Sequence, residues 1–257
     1  MDINLLVLAV GNSRLHVGLF IAGEMRYVKH FTHTQRADWP SLIRAVWNEV
    51  DGMENAEVCG CSVVPGLLEQ VESAVREATG ETVQWVGQDI DLPITVKTKE
   101  PAQTGVDRAL ICAAAFEQLE KACVVVDAGT AVTVNLVDGK GALVGGAIAP
   151  GVTLMIKSLS EGTAKLPSIT FEPPGSSFGA DTTDAIRHGI TLSIRGLVQN
   201  MAERWAEENG TWPEVIATGG DAHALFDGWE IVHAISPDLL LYGVALAYTN
   251  HHLKHGT

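Results

Sequence analysis

Four short stretches carry residues whose types and spacing suit chemistry: Gly11-Asn12-Ser13, Gly105-Val106-Asp107-Arg108, Asp127-Ala128-Gly129-Thr130 and Thr218-Gly219-Gly220. Asp107 stands after a loop marked by Pro101 and Gly105 and before a helical pattern of Ala109, Leu110, Ala113, Ala114 and Phe116. An acid at a helix start serves as a cap or a dipole partner. Arg108 beside it runs against the dipole, which argues for another job. A carboxylate so placed can accept the proton of a hydroxyl that attacks a γ-phosphate. The adjacent guanidinium can bind a carboxylate at two points. The residues alone leave both readings open, a structural cap or a base.

The glycine turns point to phosphate. A strand that ends in small residues and Gly brings backbone N–H groups close to a ligand, because Gly permits close approach. A carboxylate beside such a turn, as Asp127 is, can hold the hydrated cation that accompanies phosphates. Either turn by itself reads first as an ordinary hairpin. Thr218-Gly219-Gly220, set between a strand and a helix, lets a flat base lie against backbone.

The elements that must position these residues follow from apolar periodicity. Leu5 to Val10 is a continuous apolar run and reads as a buried strand, followed by strands at 15–21 and 25–31. Trp39 to Val50 has helical spacing, with Ser41 or Asp38 as its cap. A strand at 58–64, a helix at 67–79 stopped by Gly80 and a short strand at 82–86 complete the first series. The same grammar restarts at Cys123. Cys123 to Thr130 is a buried strand with a glycine turn, and strands span 132–137 and 142–148, with Asp138-Gly139-Lys140-Gly141 as a hairpin turn. Helices follow Pro150-Gly151 and span 181–208, a strand covers 215–217, and a closing helix covers 239–248.

An offset of 118 superposes the two series and pairs Gly11 with Gly129, Asn12 with Thr130 and Ala9 with Asp127. The chain therefore reads as an internal duplication, with lobes at 1–117 and 118–257. The expected class is α/β, a duplicated actin-like ATPase fold. Its two mixed-sheet lobes flank a cleft, as in actin, sugar kinases and Hsp70-type ATPases. Paired at matching places in a repeat, the glycine turns favour a nucleotide site.

With these residues in hand the chain resembles the type III pantothenate kinases over nearly its whole length. Their first turn, D-x-G-N-[TS], is here Ala9-Val10-Gly11-Asn12-Ser13. G-x-D-R is Gly105 to Arg108, and D-x-G-T-A-x-T is Asp127 to Thr133. G-G-x-I-x-P-G is Gly145 to Gly151, T-A-x-L-P is Thr163 to Pro167, and G-x-x-T-x-x-A-I-x-x-G is Gly179 to Gly189. T-G-G and P-D-L-x-L-x-G follow at 218–220 and 237–243. Each motif is weak singly; eight in order are specific.

The resemblance implies phosphorylation of pantothenate by ATP, the first step of coenzyme A synthesis. Asp107 would be the base, and Gly105, Val106, Asp107 and Arg108 would hold pantothenate with Thr98 and Thr182. Ala9, Val10, Gly11, Asn12, Ser13, Arg14, Leu15 and His16 would face ATP, with Gly129, Thr130, Gly219 and Gly220. Asp127 would help bind a monovalent cation, K⁺ or NH₄⁺, while Mg²⁺ accompanies ATP. A homodimer is expected, with Thr182 reaching a neighbour's substrate and the apolar spacing from Asp181 to Met201 supplying the interface.

Three residues depart from the family pattern. Ala9 replaces the first-turn Asp, which the repeat reports independently because its counterpart is Asp127. A methyl group cannot hold Mg²⁺ even through water. Thr98 stands where a substrate-contacting Tyr is usual, and Ile111 where an Asn usually follows Asp-Arg. Asp2 cannot stand in for the lost acid, since it is about 23 Å away along an extended strand. An alternative is therefore a catalytically impaired nucleotide-binding member with a regulatory or partner-binding role. A hydrolase of nucleotides or polyphosphate is more distant, because Gly105 to Arg108 keep their family-like setting.

Composition narrows the field further. With 17 Lys+Arg against 31 Asp+Glu the formal charge is −14, which repels nucleic acid. No apolar stretch reaches a membrane span, and the start Met1-Asp2-Ile3-Asn4 lacks the positive charge of a signal peptide. Cys59, Cys61, Cys112 and Cys123 show no framework spacing and read as buried thiols in a reduced cytoplasm. His251, His252 and His255 read as a solvated tail.

Overall fold

The computed structural model describes residues 3–255; Met1 and Asp2, with the reading made on them, lie outside these. In chain order the elements are β1 (Asn4–Val10), β2 (Arg14–Ile21), β3 (Glu24–Thr32), α1 (Trp39–Trp47), β4 (Ala56–Ser62), α2 (Leu68–Thr79), β5 (Val83–Trp85) and β6 (Thr95–Val96). There follow α3 (Val106–Leu119), β7 (Cys123–Ala128), β8 (Ala131–Val137), β9 (Ala142–Pro150), α4 (Val152–Gly162) and α5 (Thr182–Asn209). The chain closes with β10 (Glu214–Thr218), α6 (Ala222–Phe226), β11 (Ala234–Ile235) and α7 (Leu239–His255).

By contacts the chain forms two compact units. One comprises Met1–Thr95, Glu100–Ala114 and Asp238–Thr257; the other comprises Val96–Lys99 and Ala115–Pro237. The expected boundary after residue 117 left α7 with the second half, whereas contacts group it with the first. The cause is local. Leu241 packs over Gly18 of β2, and a Cβ on Gly243 would strike the Leu110 carbonyl of α3, so only Gly lets α7 come this close.

The first unit holds a sheet of order β3-β2-β1-β4-β5, with β1 antiparallel to β2 and parallel to β4. Its central strand is buried on both faces, which explains the unbroken apolar run. Leu6, Leu8 and Val10 pack with Trp39, Ile43, Val71 and Val75 of α1 and α2. Leu5, Val7 and Ala9 pack with Leu110 of α3 and Leu241 and Val244 of α7. At α1, Asp38 takes the N-cap position without a side-chain cap, and Ser41 Oγ instead donates to the Asp38 carbonyl at 2.8 Å.

The second unit's sheet runs β11-β10-β7-β8-β9-β6. Read as β9-β8-β7-β10-β11, it repeats the order and directions of the first sheet. The duplication is thus present in the topology, with β6 as an added edge strand that the apolar pattern does not mark. Lys97 N donates to the Leu143 carbonyl at 2.8 Å beyond it.

Helix α5 opens on Asp181, whose carboxylate accepts from Asp184 N at 2.9 Å, and stops at Gly210 in the left-handed region. Its Ile186, Ile190, Ile194, Val198 and Trp205 lie in the core against β7 and β8, so most of the apolar spacing serves its own unit. The four cysteines are buried and form no disulfide. Residues 251–255 continue α7 rather than forming a tail. Among the described residues no helix is long and apolar enough to cross a membrane.

Candidate active site

In the first unit, β1 gives way to the turn Gly11-Asn12-Ser13, closed by Gly11 N donating to the Arg14 carbonyl at 3.0 Å. Ala9, one residue before the strand end, is 1% exposed. Its register partners are His16 on β2 and Cys61 on β4, and His16 in turn faces His30 on β3. Cross-strand partners share a face of the sheet. His30, His16, Ala9 and Cys61 therefore form one row. Asp107, second residue of α3, meets the Cys61 end of it: burial pushes the Cys61 thiol up, and the Asp107 charge adds to the shift.

Burial also raises Asp107 itself above the usual carboxylate range, opposed by the Arg108 amide and the Arg108 charge. That amide donates to Asp107 Oδ1 at 2.8 Å. A carboxylate lifted by desolvation is a better proton acceptor than an exposed one. His16 moves the other way. Burial, then His30 and Arg14, bring it down to about 4, so it is neutral at neutral pH.

The neighbouring residues divide by face. Val10 and Leu15 turn their side chains into the core beneath α1 and α2, which leaves only their backbone to a ligand. Asn12, Ser13 and Arg14 are exposed, and Gly105 and Val106 lead into α3. Ile111 is 1% exposed, an apolar core position of α3.

The second unit builds a cluster around Asp127. Gly129 N donates to the Ala131 carbonyl at 3.1 Å, which makes this turn one residue tighter than its counterpart. Thr218 is the register partner of Asp127 on the parallel strand β10. Gly219 has φ +94°, and a Cβ there would run into the Asp127 carboxylate and the Ala128 carbonyl. Asp221 N donates to that carbonyl at 3.0 Å, and Gly151 N donates to the Thr130 carbonyl at 3.1 Å. Asp127, Thr130, Gly151 and Gly219 are so brought together, with Gly220 exposed at the edge. Thr98 lies just beyond β6 and is half-buried; Thr182 opens α5 and is exposed.

Sequence reasoning passed over His30, Cys61 and Gly151 as parts of these clusters. A hairpin closed around Asn12-Ser13 pairs Ala9 with His16, but a count from the Ala22-Gly23 turn reaches Lys29, and it is the register shift between Leu19 and Phe20 that brings His30 opposite His16. Cys61 needed the parallel register of β4, which no local signal carries.

Whether Mg²⁺ fits is answered by the donors. Among the described residues no group of three or more His, Cys, Asp or Glu could hold a metal ion. Mg²⁺ usually keeps several waters and takes one or two carboxylates plus phosphate oxygens. One carboxylate at Asp127, backed by glycine turns, fits a cation that arrives on a phosphate chain.

Two mixed sheets of one topology, each with a glycine turn after its central strand, define an actin-like ATPase fold. MreB5 of Spiroplasma citri, solved with ADP, superposes with a TM-score of 0.51 at 12% identity, covering 99% of each chain. A conserved protein of Campylobacter jejuni described as a candidate Baf family transcriptional activator superposes at 0.61, with 18% identity and 98% of each chain covered. The sequence profile of the type III pantothenate kinases matches residues 5–204. The Persephonella marina type III pantothenate kinase is 33% identical over 94% of this chain and 97% of its own. That of Thermomicrobium roseum is 34% identical over 98% and 99%. The chain belongs to the type III pantothenate kinase family.

Proposed function

We propose that the chain transfers the γ-phosphoryl group of ATP to the hydroxyl of pantothenate, giving 4′-phosphopantothenate for coenzyme A synthesis. The observation that carries this is Asp107, a carboxylate raised by burial at the head of α3 inside a Gly105–Arg108 segment. Asp107 takes the hydroxyl proton as the oxygen bonds to the γ-phosphorus; the bond from that phosphorus to the β-phosphate oxygen breaks, and ADP leaves with the electron pair. Arg108 grips the pantothenate carboxylate, and Thr98 and Thr182 complete that end. Residues 9–16 together with Gly129, Thr130, Gly219 and Gly220 meet ATP through backbone amides. Bound Mg²⁺ neutralises phosphate charge and would be held from the protein by Asp127, which also suits K⁺ or NH₄⁺.

The working form is a cytoplasmic homodimer. Leu192 of α5 is 65% exposed and Ile148 of β9 64%, apolar surface left over once the unit's own core is filled. A second reading, a binder without turnover, is favoured by Ala9, since its place among Val7, Cys61 and Leu110 is apolar. An ADP-release assay with and without pantothenate, Mg²⁺ and K⁺ decides. Pantothenate-dependent release supports the kinase, and nucleotide binding without release supports the binder.

A further inference from the structure

The row His30–His16–Ala9–Cys61 has a chemical content that the family roles do not use. Where a carboxylate would stand, Ala9 offers a methyl, and its register partner on β2 is an imidazole. That imidazole meets a second one: the His16 and His30 ring centroids are 4.7 Å apart, edge to face. Arg14 lies two residues before His16, at the mouth of the Gly11–Ser13 turn. Burial, then His30 and Arg14, bring His16 down. On the other elements, β1 gives Ala9 and β4 gives Cys61, neither a charge at neutral pH. Helix α7 packs over Gly18 through Leu241, and neither Asp238 before it nor any titratable group on it is among those shifting His16; α3 brings Asp107, which acts at Cys61 and is not among them either. Two imidazoles and a guanidinium beside a glycine turn, with the Asp107 carboxylate at the opposite, Cys61 end of the row, suit an anion rather than a metal ion.

We propose that His16, with His30 and Arg14 beside it, is a phosphate-binding imidazole that replaces the carboxylate–magnesium bridge lost at Ala9, so that this chain takes up a proton when it binds the polyphosphate of its nucleotide. The inference rests on the reading of residues 9–16 as the ATP-facing segment. Free, His16 is neutral because burial, then His30 and Arg14, disfavour its charge. A polyphosphate at hydrogen-bonding distance reverses that balance, and the ring picks up a proton from solvent on its unliganded nitrogen. The sign follows: affinity rises as pH falls, until pH drops below the His16 value of the free protein. His16 is half-buried and His30 exposed, so both can be reached from solvent.

The test is calorimetric titration of the full chain with ATP and, separately, inorganic tripolyphosphate, in EDTA, at pH 6, 7 and 8. Two buffers of different ionisation enthalpy count the protons taken up. The wild type is expected to tighten towards the limit of about tenfold per pH unit set by uptake of one proton. His16→Gln should bind more weakly at pH 6 and take up about one proton fewer. The phosphate's own titration is common to both proteins and cancels in their ratio. His30→Gln, at an exposed position, removes the ring that after burial does most to disfavour the His16 charge and should move the pH range of proton uptake upward. If proton uptake is the same in His16→Gln and wild type, or if His30→Gln leaves the pH profile in place, the proposal is overturned. If wild type binds neither polyphosphate without Mg²⁺, the proposal is likewise overturned. Pantothenate-dependent ADP release is measured separately, so failure of the kinase reading is distinguishable from failure here.

Discussion

Replacing Ala9 by Asp returns to β1 the acid that β7 carries as Asp127. The site is 1% exposed and walled by Val7, Cys61 and Leu110. A buried charge without a partner costs on the order of 3–5 kcal/mol. For a chain of this size about 1 kcal/mol moves Tm by roughly 2–4 °C, so a 3 kcal/mol loss lowers it by about 6–12 °C. The introduced carboxylate has its pKa raised by burial. Its penalty is therefore full at high pH and relieved as pH falls towards about 3.9, the unfolded value. Protonation of the adjacent His16 works in the same direction. ATP with Mg²⁺ supplies the partner: binding at a hundred times Kd returns about 2.7 kcal/mol. Differential scanning calorimetry at pH 6 and 8, with and without Mg-ATP, reads all of this. The Ala9→Asp variant should melt lower at pH 8 than at pH 6 relative to wild type, and its gain with Mg-ATP should exceed the wild-type gain. Equal melting and equal Mg-linked gains would refute the reasoning, since position 9 would then face neither an apolar wall nor the phosphates.

Asp107→Asn should lose about 10²–10⁴-fold in turnover, because an amide cannot take the proton. Burial raises Asp107, so its charged form works against folding above the unfolded pKa, and that cost vanishes as pH falls through it. The variant should thus melt no lower than wild type at pH 7.5, and calorimetry at pH 7.5 and 4 should show any advantage shrinking at the lower value. Leu192→Glu on α5 should convert a dimer to monomer in light scattering at micromolar concentration; a strictly monomeric wild type would sink the dimer.

What the sequence made legible was what local chemistry determines. The central strands β1 and β7 announce themselves as apolar runs because both faces are covered, and the helices by stripes such as Ile186, Ile190 and Ile194. The offset of 118 already paired Ala9 with Asp127, and the two sheets repeat one order of strands. Two-residue strands such as β6 and β11 carry too few side chains for a period to be read. The grouping of α7 with the first unit depends on contacts across more than a hundred residues, at Leu110 and Gly18. The apolar spacing of α5, read as more than one core needs, is mostly spent in its own core, and Leu192 is what remains outside.

The duplicated strands have taken opposite solutions to one electrostatic problem. On β7 the acid Asp127 is fenced by Gly219 and paired in register with Thr218, small and polar neighbours that leave a carboxylate room. On β1 the matching residue is a methyl, and its register partners are an imidazole and a thiol held protonated by burial. A phosphate chain needs its charge met, by a metal that a carboxylate positions or by side-chain cations directly. At Ala9 the first route is closed. The second falls, on the proposal above, to His16 with His30 and Arg14 beside it. Free, His16 carries no charge at neutral pH, and on the proposal above it acquires one when an anion arrives to hold it.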